Sequence, residues 1–298
     1  MIDFNTWLEY KGASEGSGRS EKIWLINPKT DTIGLFKYRK SEFTTEHFSE
    51  KLASEIAKLI GIEAAEIEIG KYHSRIGTMS YQILENTFET RDDKMLIEGI
   101  RLINNFYPEY NKDTLYDRKN NKYYSISMIK KALESYELIK LFDNVLEMMI
   151  FDFLIGNTDR HHSNWALVQN NDEFIFCPLY DNGSSLCCYI HPDDLNDFLG
   201  NDHQRFMALV DSKSTSRIRI NGKLKKEPRH TEVLKYIHTN YNERVIDFNK
   251  NLVNILTDKK INELVDSLGK DIISISRKKV IVKYLIEKRK ILKNIFEI

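Results

Sequence analysis

The chain has 298 residues, and its 44 lysines and arginines balance 44 aspartates and glutamates, so its formal net charge at pH 7 is zero. This length allows one large domain or two lobes with a substantial core. Balanced charge provides no general attraction to nucleic acid, so we expect no direct nucleic-acid binding. The three cysteines, Cys177, Cys187 and Cys188, lack the number and spacing of a disulfide framework or a zinc site.

The apolar segments bear on location. Residues 1–4 are acidic and mixed, which is not the start of a signal peptide. The longest apolar run, about Met148 to Ile155, is interrupted by Asp152 and is too short to span a bilayer. The basic amphipathic segment 276–298 is expected to pack on the protein rather than on a membrane. We therefore expect a cytoplasmic protein without a membrane span, and delivery into another cell stays open.

The first strong pattern along the chain is a pair of predicted strands after a segment rich in glycine and serine, residues 11–20. Apolar stretches run from Ile23 to Ile26 and from Ile33 to Lys37, and turn-forming residues 27–30 lie between them. This pattern predicts a β-hairpin that begins directly after the glycine-rich segment.

The glycine-rich segment has the composition of a phosphate-binding loop. Glycine lets backbone N–H groups approach a phosphate with no side chain between them. The glycines do not have the regular G-x-G-x-x-G spacing, so a flexible surface loop is the alternative. Because a hairpin ending in lysine follows, we predict that Gly16, Ser17 and Gly18 cradle the phosphates of ATP. Lys37 is the predicted phosphate-contacting lysine, and Lys40 is its competitor.

Residues Thr45 to Ile60 predict an amphipathic helix that Gly61 is placed to end. Its apolar residues recur at helical spacing: Phe48, Leu52, Ile56 and Leu59. In a two-lobed kinase such a helix carries a glutamate that pairs with the strand lysine. The acidic candidates are Glu46, Glu50 and Glu55, and a solvated helix face is the alternative for each of them.

Two further stretches, Ile67 to Ile69 and Thr78 to Leu84, predict strands of the same small sheet. The second leads into a predicted hinge that begins at Gln82 and ends at Glu85. Its backbone groups would hold adenine, and the predicted contact residues are Gln82, Ile83 and Leu84.

The pattern becomes helical from Leu96 onward, which marks a second lobe. We predict an α/β (α+β) chain with a two-lobed, kinase-like fold. Residues 1–95 would form a small antiparallel sheet with one helix, and residues 96–298 a mainly helical lobe. Two polar segments, 111–124 and 211–229, predict surface loops. A docking surface for an acidic or phosphorylated partner is the alternative for the second, which is rich in lysine and arginine.

Residues 141–155 are apolar on nearly every face and predict a buried helix that leads into a polar loop, residues 159–164. Two apolar runs then predict a hairpin around turn residues 170–172. A hairpin brings its two ends together. We therefore expect Asp181, which follows the hairpin, to lie near Asn164, which precedes it.

Three residues in this region have the chemistry of phosphoryl transfer. Such a site needs a carboxylate near the attacking hydroxyl and oxygen ligands that hold Mg²⁺ against the nucleotide phosphates. Asp159 and Asn164 have the Asp-to-Asn spacing of the protein-kinase catalytic loop, and Asp181 precedes Gly183 as the aspartate does in Asp-Phe-Gly. We predict Asp159 as the catalytic base, and Asn164 and Asp181 as metal ligands.

The string Asp-Arg-His-x-x-Asn at residues 159–164, followed by Pro-Leu-Tyr-Asp at 178–181, resembles the HipA-like serine/threonine kinases, especially the short stand-alone CtkA-type members. The resemblance runs from about Gly12 to the helices after His230 and is strongest over residues 151–185. It implies transfer of phosphate from ATP, with Mg²⁺, to a serine or threonine of a protein substrate that the sequence does not identify.

The resemblance also implies roles for single residues. Members of the family have an Asn-Glu pair a fixed distance before a helix segment that ends in glycine. Here that glycine is Gly61, and counting back from it places the glutamate at Glu50. His161 matches the family motif, and it either contacts phosphate or braces the loop by hydrogen bonds. Ser163 stands where some members have a lysine, so a basic side chain beside the transferred phosphate would be missing there.

Three neighbouring residues have no assigned role in the chemistry. The sequence does not decide whether Arg160 contacts a phosphate or an acidic group of the loop with Asp181. His162 is expected at the surface, and Tyr180 is expected to pack under the loop that holds the metal.

HipA-like kinases can phosphorylate themselves in the glycine-rich loop, which here contains Ser14, Ser17 and Ser20. We predict autophosphorylation in this loop, at Ser17, because Gly16 and Gly18 flank it and free its backbone. The charge of the phosphate would then repel the nucleotide and inactivate the enzyme. The alternative is that these serines only keep the loop flexible. Longer HipA proteins carry an additional N-terminal segment, and its absence argues against partnership with a DNA-bound antitoxin.

Two other functions compete with a protein kinase. The same Asp-Arg-His-x-x-Asn string occurs in phosphatidylinositol kinases, so a lipid or small-molecule kinase is one alternative. The other is a pseudokinase or interaction module that only binds nucleotide. Intact Lys37, Asp159, Asn164 and Asp181 count against the second. No feature of the sequence indicates an oligomeric state.

Overall fold

The computed structural model of the protein describes residues 1–12, 21–84, 94–200, 202–268 and 272–298. The predicted phosphate-loop residues Gly16, Ser17 and Gly18 lie outside the described residues, as do Ser14, Ser20 and the hinge residue Glu85. The description of the fold and of the site below therefore concerns the other predicted residues.

A curled sheet of six strands forms the first part of the chain. Its strands are β1 (Ile2–Asp3), β2 (Leu8–Glu9), β3 (Lys22–Ile26), β4 (Ile33–Tyr38), β5 (Ile67–Tyr72) and β6 (Arg75–Tyr81). Their spatial order is β1-β5-β6-β4-β3-β2, and every neighbouring pair is antiparallel except β1 with β5. The predicted hairpin is β3–β4, in which Lys22 lies opposite Lys37. The predicted antiparallel sheet is confirmed, with one parallel edge strand added.

Helix α1 (Glu46–Leu59) covers one face of this sheet, as predicted. Its apolar stripe, with Phe48, Leu52 and Ile56 fully buried, forms part of the main hydrophobic core. The helix ends at Gly61, whose φ of +85° is in the left-handed region that glycine adopts without a steric penalty.

A second sheet of three strands lies beside the candidate site. It contains β7 (Lys94–Glu98), and the predicted hairpin is confirmed as β11 (Ala166–Asn170) and β12 (Glu173–Phe176). Asn171 makes the turn with a φ of +50°. The helical pattern predicted from Leu96 onward begins later, because Leu96 is the centre of β7.

The rest of the chain is mainly helical. Its helices are α2 (Gly99–Phe106), α3 (Ile126–Ser135), α4 (Phe142–Ile155), α5 (Leu195–Leu199), α6 (His203–Met207), α7 (His230–Ile255), α8 (Asp258–Ser267) and α9 (Ile275–Phe296). Helix α4 is the predicted buried helix and packs against α7 and α9. The apolar face of α9, including Ile281 and Leu285, packs into the same core, as expected. Within the described ranges, no helix has the length and apolarity needed to cross a bilayer.

Two segments predicted as surface loops are more ordered than their composition indicated. Residues 111–124 contribute to a small antiparallel sheet of β8 (Tyr110–Asn111), β9 (Tyr116–Asp117) and β10 (Lys122–Tyr123). Asp117 and Tyr124 there are fully buried, and Tyr124 accepts a hydrogen bond from Trp165 Nε1 at 2.8 Å. Most of the segment is exposed, as predicted, but it forms strands and turns because some of its polar groups find internal partners.

The second of these segments, residues 211–229, was predicted to be a solvated loop, and it is partly buried. Ser214, Ser216, Ile218 and Arg219 are buried. Arg219 donates to the backbone carbonyls of Arg217 and Lys225, both at 3.0 Å. These bonds fold the segment back on itself, and Arg217 of the segment lies with Nε 3.6 Å from Asp159 Oδ1.

Candidate active site

The candidate catalytic loop, residues 157–164, begins where helix α4 ends. Gly156 ends the helix with a φ of +67°, and a Cβ atom there would lie 2.0 Å from the hydroxyl oxygen of Tyr284. Both the backbone conformation and the lack of space require glycine. The next residue, Asn157, is fully buried and donates through Nδ2 to Asp152 Oδ1 at 3.0 Å. This hydrogen bond attaches the start of the loop to the last turn of helix α4.

Asp159 has a fixed backbone and an accessible carboxylate. Its N–H donates to Asn157 Oδ1 at 3.0 Å, and its carbonyl accepts from His161 N–H and Asn164 Nδ2, both at 2.8 Å. Its side chain is 42% exposed, and the nearest cation is Arg217, with Nε 3.6 Å from Oδ1. An exposed carboxylate on a fixed backbone is the arrangement that a general base needs.

Arg160 is the centre of the support beneath the loop. It is 1% exposed, and Asp152 of helix α4 accepts from its Nε at 3.0 Å and from its Nη2 at 2.9 Å. Its Nη1 donates to the carbonyls of Asn164 at 2.6 Å and Tyr180 at 3.0 Å, and Nη2 donates to Asn182 Oδ1 at 2.5 Å. The sequence left the role of Arg160 open. The structure shows that it joins the catalytic loop to the segment with Asp181.

Asp181 pairs with the predicted lysine. Lys37 Nζ lies 2.9 Å from Asp181 Oδ1, and the two side chains are 22% and 46% exposed. Burial alone would lower the pKa of Lys37, but the charges of Asp181 and Glu50 outweigh it and raise the pKa. The lysine is thus charged at neutral pH. Asp181 has a φ of +56°, an uncommon conformation that aspartate tolerates better than most residues.

Glu50 faces the same segment but not in the predicted pairing. The expected partner was Lys37, whose hydrogen bond goes to Asp181 instead. Glu50 Oε1 accepts the N–H of Asn182 at 3.0 Å, and a Cβ on Gly183 would lie 2.9 Å from Oε2. Burial raises the pKa of Glu50, and the charge of Lys37 opposes that shift. Glu50 therefore acts on Lys37 through charge and on the Asp181 segment through a direct contact.

Glu46 does not lie on the solvated helix face that was the alternative for it. Both of its carboxylate oxygens are buried and have no hydrogen-bond partner among the described residues. Its Cβ lies 3.4 Å from the position that a Cβ on Gly183 would take. Glu55 matches the solvated alternative better, because it pairs with Lys51 at 3.1 Å and its side chain is 31% exposed.

The predicted metal ligands are compatible with Mg²⁺. Asn164 and Asp181 offer an amide oxygen and a carboxylate oxygen, the hard ligands that Mg²⁺ prefers. Because the guanidinium of Arg160 binds the backbone of Asn164 and of Tyr180, these ligands come from two segments that meet at one side chain. The proximity expected from the hairpin is therefore confirmed.

The predicted hinge follows β6 and borders an apolar cluster. Gln82 N–H donates to the Ile33 carbonyl at 3.0 Å, and the Leu84 carbonyl accepts from Lys94 Nζ at 3.1 Å. Ile83 and Leu84 belong to a cluster whose buried members come from the second sheet: Ala166, Val168 and Cys177. Sequence reasoning missed these three buried residues, against which Ile83 and Leu84 of the predicted hinge pack.

The two histidines of the loop have different environments. His161 is half-exposed, and its Nδ1 accepts the N–H of Ser163 at 3.2 Å, which fits the loop-bracing role. His162 was expected at the surface but is buried, and its Nδ1 lies 2.9 Å from the Tyr110 hydroxyl. Burial lowers the pKa of His162 to about 4, so it is neutral at pH 7. Tyr180 donates to the Ser163 carbonyl at 2.9 Å and packs under the loop, as predicted.

Sequence reasoning missed four polar residues that build the site: Asp152, Asn157, Asn182 and Arg217. Asp152 had a visible signal, because it is the one acid in the apolar run from Met148 to Ile155 and is costly to bury without a cation. Arg217 had none, because it reaches the site from a segment distant in sequence.

Comparison with known proteins agrees with this geometry. The family model of the HipA-like C-terminal domain matches residues 14–246. Serine/threonine-protein kinase CtkA of Helicobacter pylori is 26% identical over 186 residues, which are 59% of this chain and 50% of that protein. The match therefore spans about half the length of that relative.

Two solved structures share the fold. The crystal structure of a Helicobacter pylori proinflammatory kinase CtkA superposes with a TM-score of 0.81 at 19% identity, covering 99% of this chain and 96% of that one. HipA of the Shewanella oneidensis MR-1 toxin–antitoxin system, solved with HipB and operator DNA, gives 0.61 at 13% identity, covering 96% and 66%. The predicted kinase-like fold is confirmed, and the chain belongs to the family of proteins with a HipA-like C-terminal domain.

Proposed function

We propose that this protein is a protein kinase that transfers the γ-phosphoryl group of ATP to a serine or threonine hydroxyl. The observation that carries the proposal is the pair of Lys37 and Asp181, 2.9 Å apart, next to a loop that presents Asp159. Family membership supports the same activity, because the relative CtkA is named a serine/threonine-protein kinase. The substrate protein is not identified by these features.

In this mechanism the acceptor hydroxyl approaches Asp159, whose exposed carboxylate orients it and takes its proton. Lys37 binds phosphate oxygens of ATP, and its charge is preserved by Asp181 and Glu50. Mg²⁺, held by Asn164 and Asp181, would neutralise charge on the phosphates. Arg160 keeps the two segments in register throughout, because it binds the backbone of both.

The nucleotide base is proposed to bind at the hinge. Backbone groups of Gln82, Ile83 and Leu84 would hold its polar edge, and the buried apolar cluster with Ala166 and Val168 would support the hinge. The phosphates would extend toward Lys37. Gly16, Ser17 and Gly18 remain the predicted phosphate loop.

The test is transfer of radiolabelled phosphate from ATP to three acceptors: the protein itself, a generic basic protein and phosphoinositides. We expect transfer to protein that depends on Mg²⁺ and is lost in Asp159→Asn, with the fold retained by circular dichroism. Labelling of phosphoinositides alone would instead support a lipid kinase. Nucleotide binding without any transfer would support the pseudokinase alternative.

Autophosphorylation is a separate part of the proposal. We expect Ser17 to be the modified residue, because Gly16 and Gly18 flank it and leave its backbone free to adapt. A phosphoserine carries roughly −1.5 to −2 charges and would repel the phosphates of ATP. Mass spectrometry after incubation with MgATP should find phosphate between Lys11 and Lys22. An active enzyme without phosphate in that segment would contradict this part alone.

A further inference from the structure

Arg217 lies beside the predicted catalytic carboxylate although it comes from a distant segment. Its Nε is 3.6 Å from Asp159 Oδ1. In the part of the chain that the structure describes, no other cation lies within 4 Å of that carboxylate. The contact is longer than a hydrogen bond, so the guanidinium stands next to Asp159 without being fixed to it.

Two neighbours set the position of Arg217. Glu227 Oε1 accepts from its Nη1 at 2.9 Å. Arg219, which is buried, donates to the Arg217 carbonyl at 3.0 Å and lies with Nη2 3.7 Å from the same Glu227 oxygen. The backbone of Arg217 and one edge of its guanidinium are thus held, and the Arg217 side chain is 41% exposed. Among the described residues, Glu227 is the one hydrogen-bond acceptor of this guanidinium, so its remaining N–H groups can bind a ligand.

Stability alone does not account for this arrangement. An ion pair between half-exposed side chains contributes little to folding. A cation beside a general base also opposes the uptake of a proton by that base. The arrangement has a direct chemical use if a third group with negative charge passes between Arg217 and Asp159.

We propose that Arg217 contacts the phosphoryl group as it passes from ATP to the acceptor hydroxyl, and that Glu227 is its positioning residue. This inference rests on the proposed kinase function. Guanidinium binds phosphoryl oxygens through paired N–H groups, and charge on those oxygens is what the protein must stabilise during transfer. Arg217 thus supplies the cation that Ser163 cannot provide from the loop itself.

The step balances without a further reactant. The acceptor oxygen forms a bond to the γ-phosphorus, and the bond from that phosphorus to the β–γ bridging oxygen breaks. ADP leaves with the electron pair of that bond, and the hydroxyl proton goes to the Asp159 carboxylate. Arg217 neither gives nor takes a proton, because its guanidinium remains charged throughout.

The experiment compares Arg217→Ala, Arg217→Lys and Glu227→Gln with Lys226→Ala. Lys226 is an exposed lysine of the same segment, so its loss controls for the change in overall charge. Two sets of measurements are made. The first is kcat and the KM for ATP, with a generic basic protein as acceptor. The second is the affinity for ADP with and without aluminium fluoride. Aluminium fluoride bound with ADP imitates the transferring phosphoryl group.

We expect Arg217→Ala to lower kcat by about 100-fold, the loss typical of one transition-state donor, with KM for ATP nearly unchanged. It should bind ADP normally but lose the added affinity that aluminium fluoride provides. Added guanidinium ion should restore part of kcat in this variant. Arg217→Lys should fall between it and wild type, Glu227→Gln should lose several-fold in kcat, and Lys226→Ala should match wild type.

The outcomes separate the two claims. If wild type transfers phosphate while Arg217→Ala keeps its kcat and its response to aluminium fluoride, the role of Arg217 is refuted and the kinase function stands. A loss equal in Lys226→Ala would also refute it, because general charge would explain both. A wild-type protein that neither transfers phosphate nor binds ADP would overturn the kinase function and this role together.

Discussion

Two regions of the candidate site use ion pairs in opposite ways: the buried support on one side of the candidate catalytic loop, and the open face on the other side. Beneath the loop, Arg160 and Asp152 are buried, and the guanidinium donates to side chains and carbonyls on three segments. On the open face, Lys37 with Asp181 and Arg217 with Asp159 are partly exposed. The first set has no place for a ligand, whereas the second can exchange its partners for phosphate.

The energies explain why the two sets differ. Breaking a buried ion pair by removing one partner costs about 3–5 kcal/mol, because an unpaired charge is left in a poorly hydrated place. An exposed pair contributes about 0–1 kcal/mol. Replacing a carboxylate partner of Lys37 or Arg217 by phosphate therefore costs little free energy. The buried pair of Arg160 and Asp152 keeps the loop in the position in which this replacement is useful.

The largest expected effect comes from breaking the support. Asp152→Ala leaves the buried Arg160 guanidinium without its carboxylate, so we expect a loss of about 3–5 kcal/mol in the free energy of unfolding. Urea denaturation measures it. Glu263→Ala removes an acid that pairs with Lys259 at 3.8 Å on the surface, and should change stability by less than about 1 kcal/mol. If Asp152→Ala and Glu263→Ala lost the same stability, the distinction between buried and exposed ion pairs would be refuted.

The next effect is on activity and tests the open face. Lys37→Ala should lower kcat by about 100-fold to 1000-fold, because a charged donor to the phosphates is lost. Its stability should change little, since the pair with Asp181 is partly exposed. Lys40→Ala is the matched control for a neighbouring lysine, and steady-state kinetics should find it nearly normal. A larger loss in Lys40→Ala would show that the wrong lysine was assigned.

A smaller effect is expected where the two sets meet. Gly183→Ala would place a Cβ 2.9 Å from Glu50 Oε2, so Glu50 must move away from the Asn182 N–H. We expect a loss of about 1–3 kcal/mol in stability, measured by urea denaturation, together with reduced kcat. In Gly200→Ala the nearest atom would lie 3.5 Å away, an ordinary contact, and this control should be close to neutral. A loss in both variants would point to backbone effects rather than to Glu50.

The smallest effect concerns a buried cation without a carboxylate. Lys288 is fully buried, donates to Ser214 Oγ at 2.9 Å, and forms no ion pair in the described chain. Burial lowers its pKa from the usual 10.5 to about 7. The unfolded state therefore binds more protons above about pH 7, and stability should rise with pH there, by at most about 1.4 kcal/mol per unit.

Urea denaturation between about pH 7 and pH 8 tests this, because the cysteine thiols of the unfolded chain, whose usual pKa is about 8.5, titrate mainly above that range. Lys288→Met should remove this rise, while Lys293→Met, on the exposed side of the same helix, should keep it. The groups whose charge acts on this site are Cys187, Asp211 and His230. A rise that persists in Lys288→Met would have to come from one of them.

The sequence was most informative where local chemistry decides the outcome. The β3–β4 hairpin, helix α1, helix α4 and the β11–β12 hairpin all have apolar stripes or runs that end at turn residues or polar loops, and the structure confirms each of them. Proximity of Asn164 and Asp181 followed from the second hairpin. Asp159, Asn164 and Asp181 could be proposed as site residues because their spacing reflects the chemistry of a single loop and a single hairpin.

Prediction failed where long-range contacts decide. Segment 111–124 was expected to be a loop, but buried partners such as Trp165 hold it in place. His162 was expected at the surface, but it packs against Tyr110. Lys37 was expected to pair with Glu50, but its hydrogen bond goes to Asp181. In each case the deciding partner lies far along the chain, so no local pattern could identify it.

The sequence by itself determined most of the elements near the site and indicated the candidate reactive groups, because apolar patterning, turn residues and motif spacing act over short stretches of chain. Only the tertiary structure decided which charges are buried and which stay exchangeable. It placed Arg160 between two segments as a buried support, and it brought Arg217 to Asp159. Burial is a property of the whole packed chain, and it determines whether an ion pair is a permanent part of the fold or a partner that a substrate can replace.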